Sequence, residues 1–280
     1  MAEIGKMNRL TVLRQVDFGL YLDGGDSGEI LLPRREIPKG ADTAIGQQLE
    51  VFIYHDSEDR LVASGRRPRA QLGQFAALHV VDINRTGIFL DWGLSKDLFM
   101  PHSEEKRPLQ VGDKVLVYVY QDVHSGRLLA SAQLERFAAT DASDSGYQVN
   151  QEVSIWPAER TPHGFMCLVD EQYLGLLHSH EIFRPIFIGR KISGFVRELR
   201  DDGRLSLSVQ KQGQEVRDEL AERIMDELRL GGGVLELSDK SPASAISAAF
   251  GVSKGNYKKA VGGLFKQGLI EIEPECIRLR

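Results

Sequence analysis

The sequence predicts a mainly β chain: three small five-stranded barrels in tandem, followed by a smaller α+β domain. Three observations carry this. The phrase Arg-Leu-x-x-Ser occurs three times, opening at Arg60, Arg127 and Arg204. A glycine pair precedes each copy: Gly19 and Gly46, Gly87 and Gly112, Gly164 and Gly189. The members of a pair lie 27, 25 and 25 residues apart (46−19, 112−87, 189−164), and the arginine follows 14, 15 and 15 residues later (60−46, 127−112, 204−189). Beyond residue 212 the apolar period changes from two to about four, the change from strand to helix. The blocks start 68 and 77 residues apart (87−19, 164−87), longer than solenoid repeats of roughly 20–50 residues. A block of that size closes a small core of its own.

Each block supplies five strands in the same order. The first covers 10–13, 78–81 and 153–156. The second is Leu20-Tyr21-Leu22, Ile88-Phe89-Leu90 or Phe165-Met166-Cys167-Leu168, and the third is centred on Leu31, Phe99 and Leu176. The fourth alternates with period two, the mark of a half-buried strand: Leu49, Val51 and Ile53; Val115, Val117 and Val119; Ile192, Gly194 and Val196. The Arg-Leu-x-x-Ser phrase is the fifth. Five short strands in about 65 residues suit a barrel of the oligonucleotide-binding (OB-fold) type. The expected domains are 1–69, 70–138, 147–211 and 212–280. Residues 66–69 (Arg-Arg-Pro-Arg) read as a stiff basic joint able to touch phosphates. Residues 138–146, rich in alanine, serine and aspartate, read as a flexible acidic tether.

The last domain reads as helix, strand, helix, turn, helix and hairpin, the order of a winged helix. Val216, Leu220, Ile224 and Leu228 make the first apolar stripe, which Gly231-Gly232-Gly233 ends. Ser241-Pro242 starts a second helix, with Ala245, Ile246, Ala249 and Phe250 inward. Ser253 caps a third, with Tyr257, Val261, Leu264 and Phe265 inward. Residues 251–268 hold Lys254, Lys258, Lys259 and Lys266 and no acid.

The formal net charge of −5 excludes coating of nucleic acid by bulk charge and leaves local basic patches. The two cysteines, Cys167 and Cys276, suggest neither a metal site nor a disulfide. No apolar run reaches the roughly 18 residues of a membrane span, so a cytoplasmic chain without a membrane partner is expected. His178 and His180 lack the further ligands that zinc requires, so no metal is expected. Gly25-Asp26-Ser27-Gly28 imitates a protease nucleophile phrase but has no upstream histidine, and a glycine-rich turn explains it. No catalytic residue and no cofactor is expected.

Gly-Leu-Leu-His at 175–178, with Asp-Asp-Gly-Arg-Leu-Ser-Leu-Ser at 201–208, resembles the S1-type RNA-binding domain. Asp17-Phe18-Gly19-Leu20-Tyr21-Leu22 resembles it too. Block three lies closest to that pattern. The other two carry Leu-Leu-Pro33 and Phe-Met-Pro101 where the S1 family usually has Val-His. With the winged-helix phrase at 253–270, the chain resembles the conserved virulence factor B family of bacterial RNA-binding regulators. The resemblance implies RNA binding, regulation of gene expression and no catalysis. It carries RNA contacts onto Phe18, Tyr21 and Arg60 in block one, and Phe89 and Arg127 in block two, where Thr86 stands in an aromatic's place. In block three it carries them onto His163, Met166, His178 and Arg204, with His178 and Arg204 the stronger pair. The same aromatics and Met166 read equally as core, and the arginines as turn pins.

The outward faces of the fourth strands carry Phe52 with Tyr54, Tyr118 with Tyr120, and Phe195, as stacking platforms or, more readily, as packing between domains. Single-stranded RNA is the first partner expected. A protein scaffold and a duplex-DNA regulator acting through residues 253–267 stand as the alternatives.

Overall fold

The computed structural model describes residues 2–182, 185–211 and 214–280, without the side chains of 214–217. The chain divides into two compact units, Met1–Phe137 and Ala138–Arg280. The first holds barrels one and two, the second barrel three and the winged helix.

Barrel one consists of β1 (Met7–Val16), β2 (Gly19–Asp23), β3 (Glu29–Pro33), β4 (Gln48–His55) and β5 (Leu61–Ser64). They close in the order β1-β2-β3-β5-β4, with β3 and β5 parallel. Barrel two repeats this with β6 (Phe75–Ile83), β7 (Gly87–Asp91), β8 (Leu98–Pro101), β9 (Lys114–Gln121) and β10 (Leu128–Ser131). Barrel three does so with β11 (Glu152–Thr161), β12 (Gly164–Val169), β13 (Tyr173–His178), β14 (Ile192–Leu199) and β15 (Leu205–Ser208). The alternating residues of each fourth strand fill the barrel: Leu49, Val51 and Ile53, then Val115, Val117 and Val119, then Val196 are buried.

The glycine pairs have two different causes. A Cβ on Gly19, Gly87 or Gly164 would lie 2.2, 2.4 or 2.0 Å from the carbonyl oxygen of Leu32, Met100 or Leu177 on the third strand. No side chain fits there. Gly46, Gly112 and Gly189 have φ of 88°, 92° and 72°, the left-handed region that favours glycine. Each donates its N–H to the carbonyl of Val12, Val80 or Pro157, where the first strand bulges. The spacing is thus held by one steric and one conformational requirement.

The Arg-Leu-x-x-Ser serine lies on the closing seam. Ser64, Ser131 and Ser208 each accept through Oγ from the backbone N–H two residues on. Ser64 and Ser208 also donate, both at 2.7 Å, to a carboxylate in the short turn after the third strand, Glu36 and Glu181. The corresponding Glu104 in barrel two pairs with Arg136 at 2.6 Å. Glu36 and Glu104 also close the seam through their backbones, accepting from Gly65 at 2.8 Å and Ala132 at 2.9 Å.

Glu36 is buried, which alone would raise its pKa; hydrogen bonds from Ser95 and Ser64 and the charges of Arg66 and Arg35 outweigh that and hold it below the usual 4.5. A carboxylate depressed on folding contributes stability that is present above its unfolded pKa and lost as pH falls through the folded one. The N-terminal unit should therefore lose denaturant resistance between about pH 5 and pH 3. In Glu36→Gln, urea midpoints measured across that range should fall less, from a lower starting value; an unaltered pH dependence would remove Glu36 from the account.

Barrels one and two share a continuous apolar cluster, in which Phe52, Tyr54 and Val62 join Trp92, Leu94 and Leu98. Phe52 meets the Trp92 ring edge-on at 5.5 Å. Phe52 and Tyr54 therefore pack between barrels. Tyr118 instead stacks on Phe137 at 4.2 Å, and Phe195 lies under the Lys211 ammonium at 5.6 Å. In the basic joint Arg66, Arg67 and Arg69 pair with Glu36, Glu50 and Asp91 at 3.2, 2.7 and 2.6 Å, so its arginines are engaged within the unit.

The expected flexible tether is a packed segment. Ala139 pairs with Tyr173, and Ala142 is 1% exposed within the core of barrel three. Asp141 caps the turn through Ser143. Its small side chains, which imitate linker composition, are what fit against the barrel.

The winged helix comprises α1 (Gln214–Leu230), β16 (Val234–Leu235), α2 (Ala243–Phe250), α3 (Lys254–Lys266), β17 (Ile270–Ile272) and β18 (Ile277–Leu279). Its sheet order is β16-β18-β17. Leu220, Ile224 and Leu228 of α1 pack with Ile246, Phe250, Tyr257, Val261 and Leu264. Gln212 and the side chain of Val216, expected to begin this segment, lie outside the described residues. Two inward expectations are corrected: Ala249 is exposed, since α2 buries Ile246 and Phe250, and Phe265 is 52% exposed, since α3 buries Tyr257, Ala260, Val261 and Leu264. Ser253 caps α3 by accepting from Asn256, whereas Ser241 accepts from the Ser238 amide and leaves α2 without a side-chain cap. Among the described residues no helix is long and apolar enough to cross a membrane.

Candidate nucleic-acid interface

Strand register places one row of side chains at the same place on each barrel. In barrel one the row runs Arg14, Tyr21, Leu31, Val62 and Tyr54. In barrel two it runs Asp82, Phe89, Phe99, Leu129 and Tyr120. In barrel three it runs Glu159, Met166, Leu176, Ser206 and Glu198. Single-stranded nucleic acid is held by stacking bases on aromatics or guanidinium planes and by pairing phosphates with cations. The three rows offer those groups unequally.

Barrel one has both kinds. The Arg14 guanidinium lies 3.7 Å from the Tyr21 ring centroid, and Phe18, 58% exposed, meets Tyr21 edge-on at 6.3 Å. Glu29 fixes Arg14 at 2.7 Å. The result is an exposed stacking surface with a cation built into it. Barrel two has the aromatic pair Phe89 and Phe99, centroids 5.3 Å apart, with an acid where barrel one has Arg14.

In barrel three Met166 replaces the aromatic and glutamates stand at both ends of the row. Its other candidates lie on the rim. His178 stacks on His180 at 5.3 Å. Burial, followed by the neighbouring His180 and Arg197 charges, lowers the His178 pKa, so at neutral pH its ring is an uncharged stacking surface. His163, in the turn before Gly164, is exposed. Among the described residues no group of three or more His, Cys, Asp or Glu is placed to hold a metal ion.

The three motif arginines differ in availability. Arg60 is bound by Asp56 and Glu58, each at 2.8 Å. Arg127 pairs with Asp59, reaching from barrel two to barrel one. Arg204 is 72% exposed, with Asp202 only at 3.9 Å, and is the freest of the three to meet a phosphate. On α3, Lys254 donates to the Lys240 carbonyl at 3.1 Å and Lys258 pairs with Asp239 at 3.5 Å. Lys259 and Lys266 are exposed on the outer face. Gly262 and Gly263 have open space where a Cβ would stand. Asn256 in the first turn of α3 donates to Gln210, which follows barrel three, and so ties the start of this helix to the barrel's end.

Sequence reading missed Glu36, Glu104 and Glu181. They stand 28, 27 and 27 residues before the motif serine (64−36, 131−104, 208−181), a repeat as regular as the glycines. It also missed Arg14, Phe99 and Leu176 as members of the rows, because register between strands places them there.

An S1 domain family model matches residues 4–65 and 72–133, and a CvfB-like winged helix domain model matches residues 222–279. The matched S1 residues are those of barrels one and two, the blocks whose Pro33 and Pro101 depart from the S1 pattern. The uncharacterized protein YitL of Bacillus subtilis is 30% identical over 275 residues, covering 95% of this chain and 90% of its own. Conserved virulence factor B of Staphylococcus epidermidis is 27% identical over 284 residues, covering 99% and 94%. A crystal structure of a multidomain protein with nucleic acid binding domains from Streptococcus pneumoniae covers 99% of this chain and 98% of its own, at 23% identity and TM-score 0.46. With S1 domains leading into a CvfB-like winged helix, and relatives of that name along nearly its whole length, the chain belongs to the conserved virulence factor B family.

Proposed function

We propose that this chain is a non-catalytic, cytoplasmic RNA-binding protein that acts on gene expression after transcription. A single strand lies across the outward rows of the barrels. The observation that carries the reading is the register-matched row, with Arg14 over Tyr21 in barrel one and Phe89 beside Phe99 in barrel two. Barrel three adds the neutral ring of His178 and the open guanidinium of Arg204, and α3 adds Lys259 and Lys266. Weak sites on one chain reinforce one another through effective concentration.

Fluorescence anisotropy with short single-stranded RNAs over a salt series tests this. The logarithm of affinity should fall against that of salt with a slope of about −0.7 for each phosphate neutralised. Replacing His178 and Arg204 together should weaken binding about tenfold, within the range of one lost stack and one lost phosphate pair. Absence of binding at low salt would overturn the reading. Preference for duplex DNA by the full chain would favour the winged helix as the reader. The acidic charge balance and the exposed Phe265, Leu269 and Leu279 support the scaffold alternative, which predicts partners that survive nuclease treatment with no RNA signal.

A further inference from the structure

A cleft of about 500 Å³ opens in the N-terminal unit where barrel two meets barrel one. Phe89, Phe99, Trp92, Lys96, Asp97 and Arg127 are among the residues that line it. The size is that of a small-ligand pocket. Three features give it a chemical preference.

The walls are built in advance. The Trp92 indole N–H donates to the Lys96 carbonyl at 2.6 Å, and the Lys96 ammonium donates to the carbonyls of His55 and Asp56 at 3.0 and 2.8 Å. Ser95, between them, donates to buried Glu36. The loop between β7 and β8 is therefore pinned up to the residue before Asp97.

Asp97 immediately precedes β8, and its side chain lines the same cleft as Phe99 and Phe89. Unlike Asp91, which pairs with Arg69, Asp97 has no hydrogen bond or ion pair among the described residues. Burial, with the nearby Asp91 and Asp82 charges, raises its pKa, as expected of a carboxyl whose acceptors are unfilled. Asp97 is therefore an unfilled acceptor in the cleft wall, and what meets it there must bring N–H donors. Lys96 and Arg127 line the same cleft and suit a phosphate or ribose. The Arg127 pair with Asp59 is exposed, and exposed pairs are weak enough to be exchanged for a ligand.

We propose that this cleft selects a guanine base of the bound RNA strand, with Asp97 accepting its two adjacent Watson–Crick N–H groups while the ring lies on Phe89 and Phe99. Uracil presents one N–H between two carbonyl oxygens that a carboxylate repels. Adenine and cytosine present a single amino group there. The inference rests on the RNA-binding reading above and adds base selection to it.

The test uses the full chain and labelled oligouridines of about a dozen residues carrying one central guanosine, inosine or uridine, a length within the span of a tandem of OB barrels. Guanosine should bind about tenfold tighter than uridine, in keeping with a bidentate base contact, and inosine, which lacks the 2-amino group, should fall between. Asp97→Asn should bring the guanosine-to-uridine ratio to about one, while uridine binding holds or improves as a negative charge is lost. Equal binding of guanosine and uridine by the unaltered chain would overturn the assignment, as would an undiminished ratio in Asp97→Asn. Failure of all three oligonucleotides to bind is a different result, since it removes the RNA-binding reading itself.

Discussion

Replacing Phe52 with alanine should cost the N-terminal unit about 3–5 kcal/mol, the usual range for deleting a buried aromatic ring. Phe52 is fully buried, yet it belongs to the outward face of β4 and fills no barrel. Its ring lies between Tyr54 at 6.1 Å and Trp92 at 5.5 Å, so removal opens a void at the junction of barrels one and two. Urea unfolding followed by Trp92 emission, in a Trp156→Phe background that silences the other tryptophan, should show a lower midpoint and a redder native spectrum. Hydrogen exchange read by mass spectrometry should show faster amides in β4 and in the loop between β7 and β8, with β12 and β13 unchanged. A midpoint within experimental error of the parent would mean that the barrels hold together without this ring.

Tyr21→Ala and Phe89→Ala should each weaken binding of single-stranded RNA by about 5- to 150-fold, since a stacked base is worth about 1–3 kcal/mol. Met166→Ala, at the same register in barrel three, should change it by less than about threefold because thioether contacts are weaker than base stacking. Anisotropy titrations at fixed salt decide the matter, with circular dichroism to show that each variant keeps its strands. A larger loss at Met166 than at Tyr21 would reverse the order of the barrels and return the main contact to the third. Tyr21 also anchors Arg14, so the salt slope of Tyr21→Ala should become shallower as well.

The barrels were legible because their signals are local. Alternation within β4, β9 and β14 needs no knowledge of neighbours, and each glycine answers a constraint inside its own block. The rows were not legible, because Tyr21, Leu31 and Val62 meet only through inter-strand register, which no spacing within a strand reveals. Residues 138–146 misled for a related reason. Alanine and serine beside aspartate have the composition of a tether, and only the groove of barrel three makes Ala142 a core residue. Phe265 was misplaced by reading its apolar character as burial, although one helical position separates it from the inner face that Leu264 occupies. At the candidate site, the motif pointed to Phe18 and Tyr21, whereas Asp97 gave no sequence signal because an isolated aspartate before a strand is ordinary surface.

The seam glutamates have a consequence for how such a chain can change. In barrels one and two the parallel strands that complete the cylinder share a single aligned pair each, Leu31 with Val62 and Phe99 with Leu129. Closure there leans on Glu36 and Glu104 and on the serines that end β5 and β10. None of those residues belongs to the outward rows. Yet the latch touches the outward face: Tyr120, a member of the second row, donates to Glu104 at 3.3 Å, and Glu36 accepts from Ser95 in the loop that leads into β8. The three cylinders share one closure while their rows differ, with guanidinium and tyrosine in the first, phenylalanines in the second, and methionine and glutamates in the third. A row moved from one barrel to another would carry its neighbours with it: Tyr54 and Val62 of the first row also fill the cluster shared with barrel two, and Tyr120 of the second also holds the latch.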